Sequence, residues 1–158
     1  MVNSYALFTA IGLCVLAAAL EGLCARQNVK SYFATLRSPS FAAPLWAWYI
    51  IGIVYYATFF FILYRILSLN TDSRLKLATL SLIIFMMVAN ALWNYVFFRA
   101  RKLFFAFMAG SIAPVFDVAL FICLLGLDRV AAWSLVPYLL YRVYALYWGY
   151  ALWKLNRP

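Results

Sequence analysis

The chain has 158 residues, of which 69% are hydrophobic and only 11% charged, whereas a soluble domain of this size carries about a quarter charged residues. A soluble fold this short cannot hide so much apolar surface, so the composition predicts one membrane domain over residues 1–158. The net charge of +9 does not indicate nucleic-acid binding, because the basic residues lie mostly at the ends of apolar runs, where lipid headgroups attract them.

Five apolar segments are long enough to cross a bilayer, since a span needs about 20 mainly apolar residues. Lipid leaves backbone groups without water, and these runs are too long and too poorly alternating for barrel strands, so they must be helices. The sequence therefore predicts an all-α, integral membrane bundle of five transmembrane helices. The spans cover roughly 4–25, 45–69, 76–98, 103–126 and 131–153.

The first segment has no basic region before it and no evident cleavage site after it, so we interpret it as a retained span and not a signal peptide. It carries Glu21 about one turn before its end. An ionisable group inside a membrane is costly and is a functional candidate by default. At this depth the side chain could also simply reach the headgroups.

The first connection, residues 26–44, is about 19 residues long and contains aromatic, basic and proline residues. Loops of this length are usually functional or disordered. Its residues Tyr32, Phe33 and Leu36 would share one face of a short interfacial helical turn, and Pro39 and Pro44 would fix the approach to the second span. We expect an ordered lid and not a flexible linker.

The third segment contains Asn90, Trp93 and Asn94 within five positions. Asn90 and Trp93 are three residues apart and share one helix face. A polar amide in lipid must find a partner, usually on another helix. The pattern predicts that these residues meet a neighbouring helix or an internal cavity.

The fourth and fifth segments carry Asp117 and Arg142 well inside the apolar region. One interpretation is an ion pair that holds these two helices together. Another is that Glu21 and Asp117 line a cavity, where they would bind the polar end of a ligand or act as acid and base. Tyr138 and Tyr141 recur at helical spacing beside Arg142, a pattern that suits stacking on a flat ring system or ordinary packing.

The basic residues also predict an orientation, because cytoplasmic loops carry an excess of Lys and Arg. Connections one and three and the C-terminal tail would share one side, which we expect to be cytoplasmic, with the N-terminus outside. That side has Arg26, Lys30, Arg37, Arg99, Arg101, Lys102, Lys154 and Arg157, and the other has Arg65, Arg74, Lys76 and Arg129 offset by Asp72 and Asp128.

The chain has no His and three widely spaced Cys. These counts exclude His-based catalytic triads and proximal-His haem ligation, and they predict no metal site. The thiols of Cys14, Cys24 and Cys123 are expected to be small apolar packing groups.

Three stretches resemble the TspO/MBR family, the translocator protein or tryptophan-rich sensory protein. "YFATLRSPSFAAPLW" at 32–46 is similar to its first loop, "NALWNYVFFRARK" at 90–102 to its third span, and "LVPYLLYRVYALYWGYALWKLN" at 135–156 to its fifth span. They occur in the family's order. The family's span-two Trp position is Gly52 here, and Glu21, Asp117 and Arg142 lie outside the family pattern.

The resemblance implies a five-helix bundle, often a homodimer, with a pocket that opens towards loop one and binds tetrapyrroles or, in some members, sterols. Carried onto this sequence, the pocket residues are Trp46, Asn90, Trp93, Tyr138 and Ala145, with 26–44 as the lid. Tyr141 and Arg142 join them from the reasoning above, Arg142 because a guanidinium pairs well with a carboxylate.

We therefore expect a receptor-like or translocator-like membrane protein that binds a planar hydrophobic ligand, such as a porphyrin or haem, and requires no cofactor. Its partners would be this ligand, membrane lipids and a second copy of the chain, with no nucleic acid. The alternative is an intramembrane isomerase or cyclase of a sterol, terpenoid or carotenoid that uses Glu21 and Asp117 as acid and base.

Overall fold

The computed structural model of the chain describes residues 3–25 and 29–157. Within these ranges the regular elements are all helical, so the all-α prediction is confirmed. A π-helical turn, Tyr95–Arg99, continues α4 without a break. The six helices are α1 (Ser4–Ala25), α2 (Val29–Thr35), α3 (Leu45–Ser68), α4 (Arg74–Asn94), α5 (Leu103–Leu127) and α6 (Arg129–Leu155).

Four of these helices are long and apolar enough to cross a membrane: α1, α3, α4 with its π-helical turn, and α5. They coincide with the first four predicted spans. Helix α6 coincides with the fifth but is not among the four, and its sequence contains Tyr138, Tyr141 and Arg142, which make it more polar. The fifth span therefore stays a prediction.

Helix α1 packs against α3 and α4 through small side chains. Its buried residues, Ala6, Ala10 and Cys14, follow each other at four-residue intervals and form one ridge. Small residues at this spacing let helix backbones approach closely, which is how helices associate where lipid gives no hydrophobic driving force. The rest of α1 is largely exposed on the outside of the bundle, as suits a helix facing acyl chains.

The apolar core lies in two clusters. The larger occupies the middle of the bundle between α3, α4, α5 and α6 and contains Phe59, Ile62, Ile83, Leu120 and Leu135. The smaller lies where α2 meets the ends of α4 and α6, and its buried members are Tyr32, Phe97, Ala106, Trp148 and Leu152.

The connection from α4 to α5 turns on Arg101, which has a φ of 54°. Just after a helix, the residue in this left-handed conformation is usually glycine. The Lys102 backbone N–H donates to the Val96 carbonyl at 3.1 Å, so the turn closes the helix end. The Arg101 guanidinium lies 5.2 Å from the centre of the Tyr32 ring, a cation–π contact that ties this turn to α2.

The segment from α2 to α3 is anchored along its described length, 29–44, whereas 26–28 lie outside the described residues. Tyr32 is buried, and Phe33 and Leu36 pack against the smaller cluster. The Arg37 N–H donates to Asn156 Oδ1 at 2.9 Å, and Asn156 Nδ2 donates back to the Arg37 carbonyl. The Tyr144 hydroxyl accepts from the Ala43 N–H at 2.9 Å. The segment therefore lies bound across the end of α6.

Asp128 fixes the junction of α5 and α6. It accepts from Arg65 Nε at 2.6 Å and Arg65 Nη2 at 3.1 Å, and it caps α6 by accepting from the N–H groups of Val130 and Ala131. Burial opposes its ionisation, but the Arg65 and backbone hydrogen bonds outweigh burial, so the pKa of Asp128 lies below its ordinary 3.8.

We predict that Asp128→Ala lowers the free energy of unfolding by about 2 kcal/mol, since it removes a helix cap and an ion pair together. Asp128→Asn keeps a capping oxygen and should cost about half as much. Because the folded-state pKa is depressed, the stabilisation is present above the unfolded pKa and is lost as the pH falls below 3.8. Thermal unfolding in detergent between neutral and acidic pH measures both effects.

The matched control is Asp72→Ala, which removes an exposed carboxylate from the α3–α4 connection. An equal loss of stability in the Asp72 and Asp128 variants would contradict the role given to Asp128.

Candidate functional site

A cavity of about 360 Å³ lies between α1, α3, α4, α5 and α6, with α2 at one end. Small-molecule sites generally occupy about 300–1,000 Å³ and combine apolar walls with a few polar groups. The walls here are mainly aromatic and small apolar side chains. The aromatic lining includes Phe33, Trp48, Phe85, Trp93, Phe97, Phe107, Tyr138, Tyr141 and Trp148.

Glu21 is the centre of a hydrogen-bond cluster at the cavity wall. Its Oε2 accepts from the Tyr56 hydroxyl at 2.6 Å and from Asn90 Nδ2 at 3.0 Å, and its Oε1 accepts from Asn94 Nδ2 at 3.1 Å. The cluster joins α1 to α3 and α4. It gives the two amides of the third segment their partner, and the two oxygens of a carboxyl group have enough acceptor sites for three donors.

Asp117 and Arg142 pair across α5 and α6. Arg142 Nε donates to Asp117 Oδ2 at 2.7 Å, and the side chains are 20% and 2% exposed. The Arg142 guanidinium also lies 5.7 Å from the centre of the Tyr138 ring. The structure thus contains the ion pair that one interpretation of the sequence expected, and it places that pair in the cavity wall.

Two polar atoms of the cavity-lining residues have no hydrogen-bond partner among the described residues: Asp117 Oδ1 and the Tyr55 hydroxyl. Both side chains are well buried, with Asp117 1% and Tyr55 8% exposed. Most buried polar groups in native proteins are paired, so each such exception needs an explanation. Both atoms have almost no accessible surface, so a molecule in the cavity would reach them only if the wall shifted.

The indole side chains of the walls are held by their own hydrogen bonds. Trp93 stacks on Phe97, with ring centres 4.9 Å apart, and its Nε1 donates to the Ala106 carbonyl at 2.9 Å. Trp48 lies 4.5 Å from Trp148, centre to centre, and its Nε1 donates to the Ala43 carbonyl at 3.3 Å. These contacts fix ring faces around the cavity before any ligand binds.

The structure brings eight of the nine residues expected at the site to the cavity. The one exception is Trp46, which is 64% exposed and does not line it. Trp48 lies in the wall in its place, because positions two apart on a helix point about 200° apart. The eight are Glu21, Asn90, Trp93, Asp117, Tyr138, Tyr141, Arg142 and Ala145.

Two of these residues donate to carboxylates. Asn90 donates to Glu21 on another helix, and Arg142 Nε donates to Asp117. Their partners are therefore carboxylates of the protein itself.

Many cavity residues were not singled out for the site, among them Trp48, Gly52, Tyr55 and Trp148. A signal existed for Trp148, since it follows Tyr141 by seven positions and so continues the same helix face. No comparable signal marked Tyr55, whose role depends on how α3 is rotated. Among the described residues, no three His, Cys, Asp or Glu side chains lie close enough to hold a metal ion.

The model of the TspO/MBR family matches residues 10–154 of the chain. This match extends the likeness beyond the three quoted stretches to nearly the whole sequence. No curated protein matches the chain.

We predict that Glu21 and Asn90 are energetically coupled. In a double-mutant cycle of Glu21→Gln and Asn90→Ala, the coupling energy should be about 1 kcal/mol, between the average for membrane hydrogen bonds and that for bonds to charged groups. Unfolding in mixed micelles measures it. Asn70 is exposed outside α3, so Glu21→Gln and Asn70→Ala should be additive. If the effects of Glu21→Gln and Asn90→Ala on the free energy of unfolding were additive, the Glu21–Asn90 contact would be contradicted.

We further predict that Asp117→Leu and Arg142→Leu each lower the free energy of unfolding by about 3 kcal/mol or more, because each leaves a buried charge without its partner. The double variant should be markedly more stable than either single variant, since replacing a whole buried pair by apolar groups is often neutral. Unfolding in mixed micelles measures the stability of the two single variants and of the double variant. A double variant as unstable as the summed single variants would show that the pair is not the interaction being broken.

Proposed function

The chain belongs to the TspO/MBR family, and from this premise we propose that it is an integral membrane protein that binds a planar, lipid-soluble small molecule between its helices. The observation that carries the proposal is the cavity of about 360 Å³ whose aromatic walls surround the Glu21 cluster and the Asp117–Arg142 pair. This combination of apolar walls with a few convergent polar groups is typical of ligand sites.

The volume and the apolar lining of the cavity suit a ligand better than they suit water. At about 30 Å³ a molecule, the cavity corresponds to roughly a dozen waters. Most of its lining residues are apolar and offer no hydrogen bonds, so few of these waters would find the two to four partners that a buried water needs. An apolar ligand would replace them and recover contacts along the walls.

The ring faces support a flat ligand. Trp93, Trp48 and Tyr141 line the cavity, and indole and phenol rings stack well on conjugated systems. A tetrapyrrole is the ligand class that the family resemblance implies, with a sterol second. The segment 29–44 would act as the lid, and movement of the ligand across the membrane is a further part of this proposal.

The proposed topology has α6 as a fifth span, the N-terminus outside and the C-terminus in the cytoplasm. The 27 residues of α6 would extend about 40 Å at 1.5 Å each, enough for a hydrocarbon core of about 30 Å. The charged group in its middle, Arg142, is paired with Asp117 and so does not face lipid alone. The homodimer stays a prediction.

An acid–base enzyme is the rival hypothesis. Glu21 and Asp117 do line the cavity, but both oxygens of Glu21 already accept hydrogen bonds and Asp117 is paired with Arg142. No observation on the described residues favours proton transfer over binding.

The most direct test is a substitution whose side chain fills part of the cavity. Gly52 lines it, and a Cβ at this position would meet nothing within 4 Å. We predict that Gly52→Leu lowers the affinity for the dimethyl ester of protoporphyrin about tenfold or more, a loss of about 1.4 kcal/mol or more. Quenching of tryptophan fluorescence in nanodiscs measures binding, since Trp48, Trp93 and Trp148 line the cavity.

Gly12→Leu is the matched control. Gly12 is also a helical glycine with nothing within 4 Å of a built Cβ, and it does not line the cavity. Both variants gain the same helix propensity, so only the site differs. Unchanged binding in Gly52→Leu, or an equal loss in Gly12→Leu, would place the ligand elsewhere.

A further inference from the structure

One end of the bundle concentrates positive charge, and we call its set of exposed basic side chains the basic rim. The four acidic side chains of the sequence lie elsewhere, two in the cavity wall and two at the opposite end of the bundle. The basic rim consists of Lys30 and Arg37 before α3, Arg99, Arg101 and Lys102 in the α4–α5 connection, and Lys154 and Arg157 at the end of α6.

Contacts between the elements show that the basic rim is one surface. Arg37 and Asn156 exchange hydrogen bonds, which join the segment 29–44 to the end of α6. The rings of Phe104 and Trp153 lie 5.5 Å apart between centres, which places the start of α5 beside the end of α6. The basic rim therefore lies at the end of the bundle that the segment 29–44 crosses.

The N–H groups of these side chains have no acceptor among the described residues. Both ion pairs of the described residues use other cations, Arg65 and Arg142. At the opposite end, by contrast, Arg65 binds Asp128, and Lys76 Nζ donates to the Leu69 carbonyl at 2.7 Å. The guanidinium and ammonium groups of the basic rim therefore keep their donors for an acceptor outside the chain.

Aromatic rings hold two of these cations at the edge of the apolar surface. The Arg99 guanidinium lies 5.5 Å from the centre of the Tyr95 ring, and the Lys102 ammonium lies 5.6 Å from the centre of the Phe105 ring. The rings are 42% and 58% exposed, and they belong to helices long and apolar enough to cross a membrane. Basic residues at the ends of such helices lie at the level of the headgroups, so the rings meet acyl chains and the cations meet lipid phosphates.

A cation–π contact of this kind prepares a side chain for binding an anion. It restricts where the cation lies and leaves its N–H groups free, so less side-chain entropy is lost when the anion arrives. Guanidinium and ammonium groups both donate charge-assisted hydrogen bonds to phosphate oxygens. The exposed ring beside each cation adds apolar area, which an acyl chain can cover and a soluble anion cannot.

We propose that the α4–α5 connection binds anionic phospholipids, with Arg99 and Lys102 donating to the headgroup phosphates and with Tyr95 and Phe105 contacting the acyl chains. A lipid with a net negative charge complements the basic rim. The choline group of a zwitterionic lipid instead adds a positive charge to a surface that already carries seven. The site is on the outer surface of the bundle, so this proposal goes beyond the proposed function and does not depend on what the cavity holds.

Native mass spectrometry of the full chain in a neutral detergent tests this preference. The chain is titrated with phosphatidylglycerol or with phosphatidylcholine of the same acyl chains, and the dissociation constant of the first bound lipid is obtained for each. We expect phosphatidylglycerol to bind about tenfold or more tightly, since each basic residue near an anionic lipid contributes about fivefold in affinity. Glycerol 1-phosphate in excess should not displace it, because this soluble anion has no acyl chains.

Charge-matched variants locate the site. Arg99→Gln/Lys102→Gln removes two cations from the connection and should weaken phosphatidylglycerol binding about fivefold or more, with little change for phosphatidylcholine. Arg99→Lys/Lys102→Arg keeps both charges and should bind phosphatidylglycerol nearly as the natural chain does. The control, Arg74→Gln/Arg129→Gln, removes two exposed cations at the opposite end and should leave the preference for phosphatidylglycerol unchanged.

Three results would overturn the proposal. The first is equal affinity of the natural chain for the two lipids. The second is displacement of phosphatidylglycerol by glycerol 1-phosphate, which would identify a site for soluble anions. The third is an equal loss of phosphatidylglycerol binding in the two Gln double variants, which would show that only the net charge of the chain matters. The comparison of the two lipids on the natural chain stands even if a variant does not fold.

Discussion

The constraint that governs this structure is that hydrocarbon cannot satisfy a polar group. Three charged contacts meet the constraint, and each joins different helices. Glu21 of α1 binds α3 and α4, Asp117 of α5 binds α6, and Asp128 at the α5–α6 junction binds Arg65 of α3. Together they connect all five long helices. Most of the remaining contacts between the helices are apolar, so these few bonds favour one register of the apolar surfaces over others.

The same contacts divide the cavity chemically. One part of its wall consists of phenyl rings and of indole rings, two of which donate from Nε1 to backbone carbonyls. The other contains the carboxylates of Glu21 and Asp117, the Arg142 guanidinium and the two unsatisfied atoms. A helical bundle could satisfy its packing with Leu and Phe alone. The costly groups are few, so the lining of the cavity is chemically uneven and would favour some orientations of a bound molecule over others.

The sequence predicted which segments form helices better than it predicted which face of each helix points into the bundle. The four apolar spans follow from segment length, and the Asp117–Arg142 pair follows from two lone charges in neighbouring helices. The partner of Glu21 could not be read in the same way, because Asn90 lies 69 positions away and spacing within one helix says nothing about a distant one. Trp46 was placed in the cavity and lies outside it, because Trp46 and Trp48 are two positions apart and point in nearly opposite directions, and only packing decides which of them faces the cavity.

Glu21 also sets a condition on how the chain is made. Tyr56, Asn90 and Asn94 follow it by 35, 69 and 73 positions. At about 5–20 residues per second, Asn90 is synthesised roughly 3 to 14 s after Glu21. During that interval the carboxylate has neither amide, so α1 cannot settle into pure lipid at low cost. Insertion of α1 into lipid therefore becomes favourable only when α4 can supply Asn90 and Asn94, which couples the insertion of the two helices.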